Sequence, residues 1–160
     1  ENVAGIVGMG KAAEMALQTM VEDEPRVHTL RDRLEKSLLE SCPGSRVNGA
    51  PDRRLGNTLN MSFKFLEGEA ILVLLDQEGI CASTGSACTA GSSEPSHVLR
   101  AMGVPPDWLQ GAVRFSLSRY TTAEEVDFVN RKAPSIVERL SGLSSLGKLG
   151  KQRPAKTLAG

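Results

Sequence analysis

The spacing of apolar residues predicts helices at both ends of the chain. Residues 3–22 and a second segment that begins near Pro25 and stops before Cys42 carry apolar side chains three or four positions apart, the period of a helix with one buried face. Pro25 suits the first turn of that second helix, where its missing N–H is not needed. A last helix is predicted over residues 126–140, with a kink or stop near Pro134. Thr121–Glu124 and Thr122–Glu125 are alternative capping boxes for its start.

The middle of the chain changes to the alternation of apolar and polar residues that is typical of half-buried strands. Thr58–Leu66 and Val113–Leu117 follow this pattern, and the short apolar run Ile80–Ala82 predicts another strand. Glu69–Glu78 predicts a short buried helix that ends at Gly79. Brief helical turns are expected after residues 94 and 105. The order of elements predicts an α/β (α+β) layer domain, with a short sheet packed against helices.

Composition and charge exclude several classes of protein. A chain of 160 residues with 19 basic and 19 acidic side chains suits one globular domain, and its neutral sum argues against a general nucleic-acid binder. No apolar run is long enough to cross a membrane. The charge is uneven, because four basic residues are the only charges after residue 140. Residues 1–140 therefore contain the other 15 basic residues and all 19 acidic ones, which gives them a net charge of −4. Residues 141–160 are therefore predicted to be a flexible basic tail, suited to an acidic partner.

The chain has three cysteines, Cys42, Cys81 and Cys88. A small, odd number of cysteines does not suit a disulfide framework. Free thiols favour a reducing compartment, the cytoplasm. Cys42 and Cys81 are interpreted as small buried apolar residues. Cys88 lies in a run of small residues over 83–93 and has no large apolar neighbour, so its thiol is expected to be accessible. On these arguments alone, Cys88 can be interpreted either as a reactive thiol or as a structural cysteine.

Arg114 is predicted to face the side of its strand opposite Val113 and Phe115. A guanidinium held there can bind a carboxylate or a phosphate through two N–H groups, and a surface ion pair is the simpler alternative. His28 and His97 show no partner in the sequence and are interpreted as surface residues. The same interpretation applies to the lysines Lys11, Lys36, Lys64 and Lys132.

Gly8–Ala13 fits the G-x-G-x-x-[G/A] pattern of dinucleotide-binding folds. That motif needs a strand before it and a second strand after its helix. The surrounding residues have the helical period instead, so glycines that allow close helix packing are the favoured interpretation.

The stretches GICASTGSACTAGSSEPSHVLRAMGVP and VRFSLSRYTTAEEVDFV, between Gly79 and Phe128, resemble the C-terminal part of NifS/IscS-type cysteine desulfurases. TGSACT and RFSLSRYT are most similar to the nitrogen-fixation branch. ENVAGIVGMGKAAEMA and RLGNTLNMSFKFLEGEAILVLL agree in the same order, so the resemblance covers about residues 1–140. It implies the small C-terminal domain of the type I fold of pyridoxal-phosphate enzymes. Residues 1–22 would be its connecting helix, 23–140 the small domain with the active-site cysteine loop at 83–93, and 141–160 the tail.

The resemblance also implies an activity and its residues. Enzymes of this family convert L-cysteine to L-alanine and hold the sulfur as a persulfide, which serves iron–sulfur cluster assembly. Cys88 matches the catalytic nucleophile, and it also matches the family's transient iron–sulfur ligand. Arg114 matches the residue that binds the substrate carboxylate. The implied partners are L-cysteine, a sulfur-acceptor or iron–sulfur scaffold protein, and a second copy in a homodimer.

One departure from the family limits what the chain is expected to do. The Ser-x-His segment that precedes the family's cofactor lysine does not occur here, and the chain opens with Glu1. We therefore expect a fragment in which no residue binds pyridoxal phosphate, the cofactor being held by a preceding part. The fragment alone is expected to be inactive. A standalone persulfide carrier and a dinucleotide-binding module are the alternatives.

Overall fold

A three-stranded antiparallel sheet packed against helices organises the computed structural model, which describes residues 1–84 and 95–143. The elements are α1 Val3–Ser41, β1 Ser45–Val47, β2 Thr58–Phe63, α2 Gly68–Gln77, α3 His97–Ala101, α4 Pro106–Leu109, β3 Ala112–Ser116 and α5 Ala123–Leu143. The mixed α/β class predicted from the sequence is confirmed. In these described residues no helix is both long enough and apolar enough to cross a membrane.

The apolar face of the sheet forms the core. β2 is the central strand, and its Met61 pairs with Val47 of β1 on one side and with Val113 of β3 on the other. Leu59 and Phe63 point the same way as Met61, and all three are buried in one cluster with side chains of α1, α2 and α5. Alternation therefore leaves the polar residues of β2 and β3 on the opposite face, which we call the polar face.

A single helix, α1, occupies the region where two helices were predicted. Pro25 lies inside it, although an interior proline removes one hydrogen bond and typically costs about 3 kcal/mol. The helix continues because Val27, Leu30 and Leu34 beyond the proline are buried in the core. No described side chain over residues 3–26 is buried. The boundary between residues 22 and 23 that the resemblance implies stays a prediction, and no helix break marks it.

The helix α5 begins and ends differently from its prediction. Thr122 and Glu125 form a reciprocal capping box, with the Thr122 N–H to the Glu125 carboxylate at 2.9 Å and the Glu125 N–H to Thr122 Oγ1 at 3.2 Å. This settles the two alternatives in favour of the second. The predicted kink or stop at Pro134 is wrong, because α5 runs through it to Leu143. Buried residues on both sides of the proline hold the helix in place. The remainder of the predicted tail, residues 144–160, lies outside the described residues.

The prediction of short strands was wrong in two places, with one predicted strand absent and one observed strand not predicted. Ile80–Ala82 forms no strand, and in the described part of this segment an isolated bridge joins Ser83 to Arg114. β1, which pairs along Phe63, Ser62 and Met61, was not predicted. Three residues are too few for an alternating pattern to stand out, so the pairing partner rather than the local sequence defines this strand.

Candidate functional site

Arg114 lies on the polar face of β3, and its side chain pairs with none of the residues that the structure describes. Its neighbours Val113 and Phe115 are buried on the core side, as the alternation predicted. Arg114 is half-buried, and its Nε is buried without a hydrogen-bond partner. Among the described residues its guanidinium makes no ion pair and no hydrogen bond. A buried donor of this kind is costly unless an acceptor meets it. The surface ion pair that was the simpler alternative is therefore not seen, and an anion-binding role is favoured.

The chain segment that leads toward Cys88 is attached to Arg114 through the backbone. Ser83 N–H donates to the Arg114 carbonyl at 3.0 Å, and Arg114 N–H donates to the Ser83 carbonyl at 2.6 Å. Ser83 therefore lies along the edge of β3 that β2 does not occupy. Cys88 itself, like the rest of residues 85–94, lies outside the described residues. Its roles as nucleophile and iron–sulfur ligand stay predictions.

Gly68, the first residue of α2, allows this segment to approach the sheet. A Cβ at Gly68 would lie 2.6 Å from the Ala112 carbonyl oxygen and 3.1 Å from Thr84 Cγ2. Its N–H donates to the Gln110 carbonyl at 2.7 Å. Only a residue without a side chain fits between β3 and the start of the cysteine loop. The sequence predicts Glu67–Gly68 only as a turn and gives no signal of this close approach.

The polar face also carries a network of amide and hydroxyl groups that was not predicted from the sequence. Asn48 Nδ2 donates to Asn60 Oδ1 and to Ser62 Oγ, both at 2.7 Å. Asn48 and Ser62 are buried, and Asn60 pairs with Arg114 across the strands. The signal that could have found this network is that Asn60 and Ser62 form the polar half of the alternation in β2.

The other two cysteines differ from each other. Cys42 is buried in the core, as interpreted, and burial raises the pKa of its thiol, an effect partly offset by the Ser41 hydroxyl. Cys81 is free and exposed, so its interpretation as a buried apolar residue is wrong. The segment 80–82 forms no strand, and within it Ile80 is buried in the core while Cys81 points outward. Among the described residues no cluster of histidine, cysteine or acidic side chains could hold a metal ion.

The described lysines do not fit the covalent site of pyridoxal phosphate, the cofactor that the resemblance implies. Lys11, Lys64 and Lys132 are each paired with a partly exposed carboxylate, of Glu14, Asp107 and Glu78 respectively. Lys36 is exposed on α1. A lysine that carries a cofactor needs an enclosed environment that keeps its amine uncharged. None of the four described lysines has such an environment.

One of the two histidines has partners that the sequence did not reveal. His28 Nδ1 lies 3.2 Å from Asp32 Oδ2, and its Nε2 lies 2.8 Å from Arg31 Nη2. His28 is exposed, as interpreted, and it also contacts Arg31, whose buried side chain is only 1% exposed. His97, the first residue of α3, is exposed, as interpreted.

The dinucleotide alternative is contradicted by the structure. Gly8–Ala13 lies inside α1, without the preceding strand that the motif requires. The expected close helix packing is not found within the described residues, where a Cβ added at Gly8 or Gly10 meets no atom within 4 Å.

Comparison with known proteins agrees with the fold and with the sequence resemblance. The family profile "Aminotransferase class-V" matches residues 1–129. Cysteine desulfurase 2 of Trichormus variabilis is 58% identical over 144 residues, which are 90% of this chain and 36% of that protein. Cysteine desulfurase NifS of Azotobacter vinelandii is 56% identical with the same coverage.

Solved structures give the same result. A NifS-like protein superimposes with a TM-score of 0.76 at 36% sequence identity, covering 88% of this chain and 35% of its own. The Escherichia coli desulfurase CsdA, at 23% identity and a TM-score of 0.68, supports the fold alone. The chain thus spans about a third of the length of the curated relatives it matches. It belongs to the class-V aminotransferase family and matches a part of NifS-type cysteine desulfurases.

Proposed function

We propose that this chain is part of a cysteine desulfurase that moves sulfur from L-cysteine to the thiol of Cys88. The carbon–sulfur bond of the substrate breaks and a sulfur–sulfur bond forms at Cys88. L-cysteine and one enzyme thiol give L-alanine and one enzyme persulfide, so no external oxidant or reductant is needed. The similarity to named desulfurases over 90% of the chain supports this proposal.

The observation that carries the proposal is the unpaired guanidinium of Arg114 beside the start of the cysteine loop. L-cysteine presents a carboxylate, and the planar fork of arginine binds a carboxylate through two parallel hydrogen bonds. Half-burial strengthens such a pair because it limits competition from water.

The position of Ser83 supports the role of Cys88. Thr84, the last described residue before the loop, is held beside Gly68 and β3. Cys88 follows it by four residues, and an extended chain spans at most about 3.6 Å per residue. The proposal requires the Cys88 thiol to reach a substrate that is held by Arg114, and a separation of four residues along the chain is compatible with that reach.

The wider setting is proposed on the same basis. We infer that pyridoxal phosphate is held by residues outside this chain, in a homodimeric enzyme that acts in the cytoplasm. The coverage of about a third of each relative and the free thiols of Cys42 and Cys81 support this inference. The persulfide would pass to an acceptor or scaffold protein for iron–sulfur clusters, with nitrogenase clusters as the narrower assignment, and Cys88 would be a transient cluster ligand.

The experiment that tests the proposal is Arg114→Lys in the complete, cofactor-loaded enzyme. Lysine keeps the charge but loses the fork, so the KM for L-cysteine should rise about tenfold or more, with a smaller change in kcat. Arg46→Lys is the matched control, because Arg46 belongs to β1 and its guanidinium lies 5.7 Å from the Trp108 ring. An unchanged KM in Arg114→Lys would contradict the proposed role.

A further inference from the structure

Asn60 is the neighbour of Arg114 on the polar face. The two residues pair directly in the antiparallel register of β2 and β3. Side chains of directly paired residues leave the same face of a sheet, with Cβ atoms about 5 Å apart. The amide of Asn60 and the guanidinium of Arg114 are therefore adjacent groups on one surface.

The amide of Asn60 is oriented by Asn48. Asn48 Nδ2 donates to Asn60 Oδ1 at 2.7 Å, and the Asn48 backbone N–H donates to the Asn60 carbonyl at 2.9 Å. Because the amide oxygen of Asn60 is engaged by Asn48, its Nδ2 is the free end of the group. In the described part of the chain, this Nδ2 donates no hydrogen bond. Asn60 thus offers N–H donors next to Arg114, whose side chain has only donors, so both groups suit a ligand that accepts hydrogen bonds.

Asn48 is a costly residue to bury in this position. It is only 6% exposed, and its buried Oδ1 has no hydrogen-bond partner among residues 1–84 and 95–143. An apolar residue of similar size would avoid the cost of an unpaired amide oxygen. What the fold gains is a fixed orientation, since Asn48 holds both Asn60 and the buried Ser62.

We propose that Asn60 donates a hydrogen bond to the same substrate carboxylate that Arg114 binds, and that Asn48 is the positioning residue for Asn60. The inference rests on the proposed function, because it assumes that Arg114 binds a carboxylate. A carboxylate has about four acceptor sites, so it can take two bonds from the guanidinium and a third from the amide. The recognised class of ligand is an α-amino acid with a free carboxylate.

The first test is the kinetics of Asn60→Ala in the complete, cofactor-loaded enzyme. Loss of a hydrogen bond to a charged group should raise the KM for L-cysteine about tenfold or more, with a smaller effect on kcat. Thr58→Ala is the matched control, since Thr58 lies on the same face of the same strand but pairs with Ser116. Its KM should stay within about twofold of the wild-type value. Asn60→Val, with a side chain favourable in strands, gives the same test if the alanine variant does not fold.

The second test separates carboxylate binding from a structural role. Inhibition constants of L-alanine and L-alaninamide are compared, because the amide lacks the carboxylate charge. Asn60→Ala should raise the inhibition constant of L-alanine about tenfold and leave that of L-alaninamide almost unchanged. Asn48→Ala should show the same selectivity with a smaller loss of L-alanine binding. Equal losses for both ligands, or no loss for L-alanine, would overturn the inference.

The two proposals fail in different ways. If Arg114→Lys raises the KM and Asn60→Ala does not, only the role of Asn60 is overturned. If Arg114→Lys leaves the KM unchanged, the carboxylate site itself is wrong, and with it the inference about Asn60.

Discussion

Ser83 and Arg114 exchange two backbone hydrogen bonds, of 3.0 Å and 2.6 Å, on the edge of β3 opposite to β2. Both backbone hydrogen-bonding groups of Arg114 are therefore used by Ser83, and Asn60 of β2 lies opposite Arg114 on the other side in the strand register. The residue that we assign to carboxylate binding and the segment that enters the cysteine loop consequently form one structural unit. A substitution that moves Ser83 or Thr84 should affect the site, even though neither residue touches substrate in our account.

Gly68→Ala should disturb the contact between β3 and the segment that enters the cysteine loop. Its new methyl group would lie 2.6 Å from the Ala112 carbonyl oxygen and 3.1 Å from Thr84 Cγ2, so β3 or the loop entrance must shift. Overpacking of this kind costs about 1–3 kcal/mol of the free energy of unfolding. Chemical unfolding of the chain measures this loss, and we expect the complete enzyme to lose sulfur-release activity in parallel.

Gly142→Ala is the control for Gly68→Ala. A Cβ at Gly142 meets no atom within 4 Å, and alanine is favoured over glycine in a helix by up to about 1 kcal/mol. The control should be neutral or slightly stabilising. An equal stability of Gly68→Ala and wild type would contradict the steric role that we give to Gly68.

Much of the sheet could be predicted from sequence because alternation is a local signal. β2 begins at Thr58, as predicted, and Gly79 has the positive φ of 74° that its assignment after α2 requires. What local patterns could not show is the effect of tertiary packing. Pro25 interrupts a helical sequence, yet α1 continues because the residues after it are buried. β1 exists only because β2 pairs with it.

Pro134→Ala should stabilise the chain, because the proline removes a backbone hydrogen bond from the interior of α5. The proline lies inside the helix and cannot donate to the carbonyl of Asn130, four residues earlier. Restoring that N–H should raise the free energy of unfolding by about 1–3 kcal/mol. Ser135→Ala, at the exposed neighbouring position, should change it by no more than about 0.5 kcal/mol. A destabilised Pro134→Ala variant would show that packing of the proline ring outweighs the missing hydrogen bond.

The site was predictable only in part. Arg114 was found because a charged residue among alternating apolar ones is conspicuous, and the structure gives it the predicted orientation. Asn48 was not found, because an asparagine after a three-residue strand gives no sequence signal of burial. Its importance becomes visible only through its bonds to Asn60 and Ser62. Cys88 rests on the resemblance, since it lies outside the described residues.

The cysteines should react differently with an alkylating reagent. In a Cys88→Ser background at neutral pH, exposed Cys81 should be labelled quickly and buried Cys42 slowly. Mass spectrometry of the labelled peptides measures both rates, and labelling in denaturant should abolish the difference. Comparable rates for the two thiols in the folded chain would contradict the buried position of Cys42.

The stability of the chain should also depend on the protonation of Cys42. Burial raises the pKa of this thiol, so the folded state holds its proton more tightly than the unfolded state does. The contribution to stability is full below the ordinary thiol pKa of about 8.5 and is lost as the pH rises through the folded pKa. Chemical unfolding above about pH 8.5 should therefore show a decline that is smaller in Cys42→Ala. An identical decline in both chains would exclude Cys42 as its source.

The most direct test of the account is the location of the persulfide in the complete, cofactor-loaded enzyme. After incubation with L-cysteine, mass spectrometry should find the additional sulfur atom on the peptide that contains Cys88. Cys88→Ser should form no persulfide and should release no sulfide, whereas Cys81→Ser should retain both activities. Persulfide formation and sulfide release at wild-type levels in Cys88→Ser would contradict the central claim.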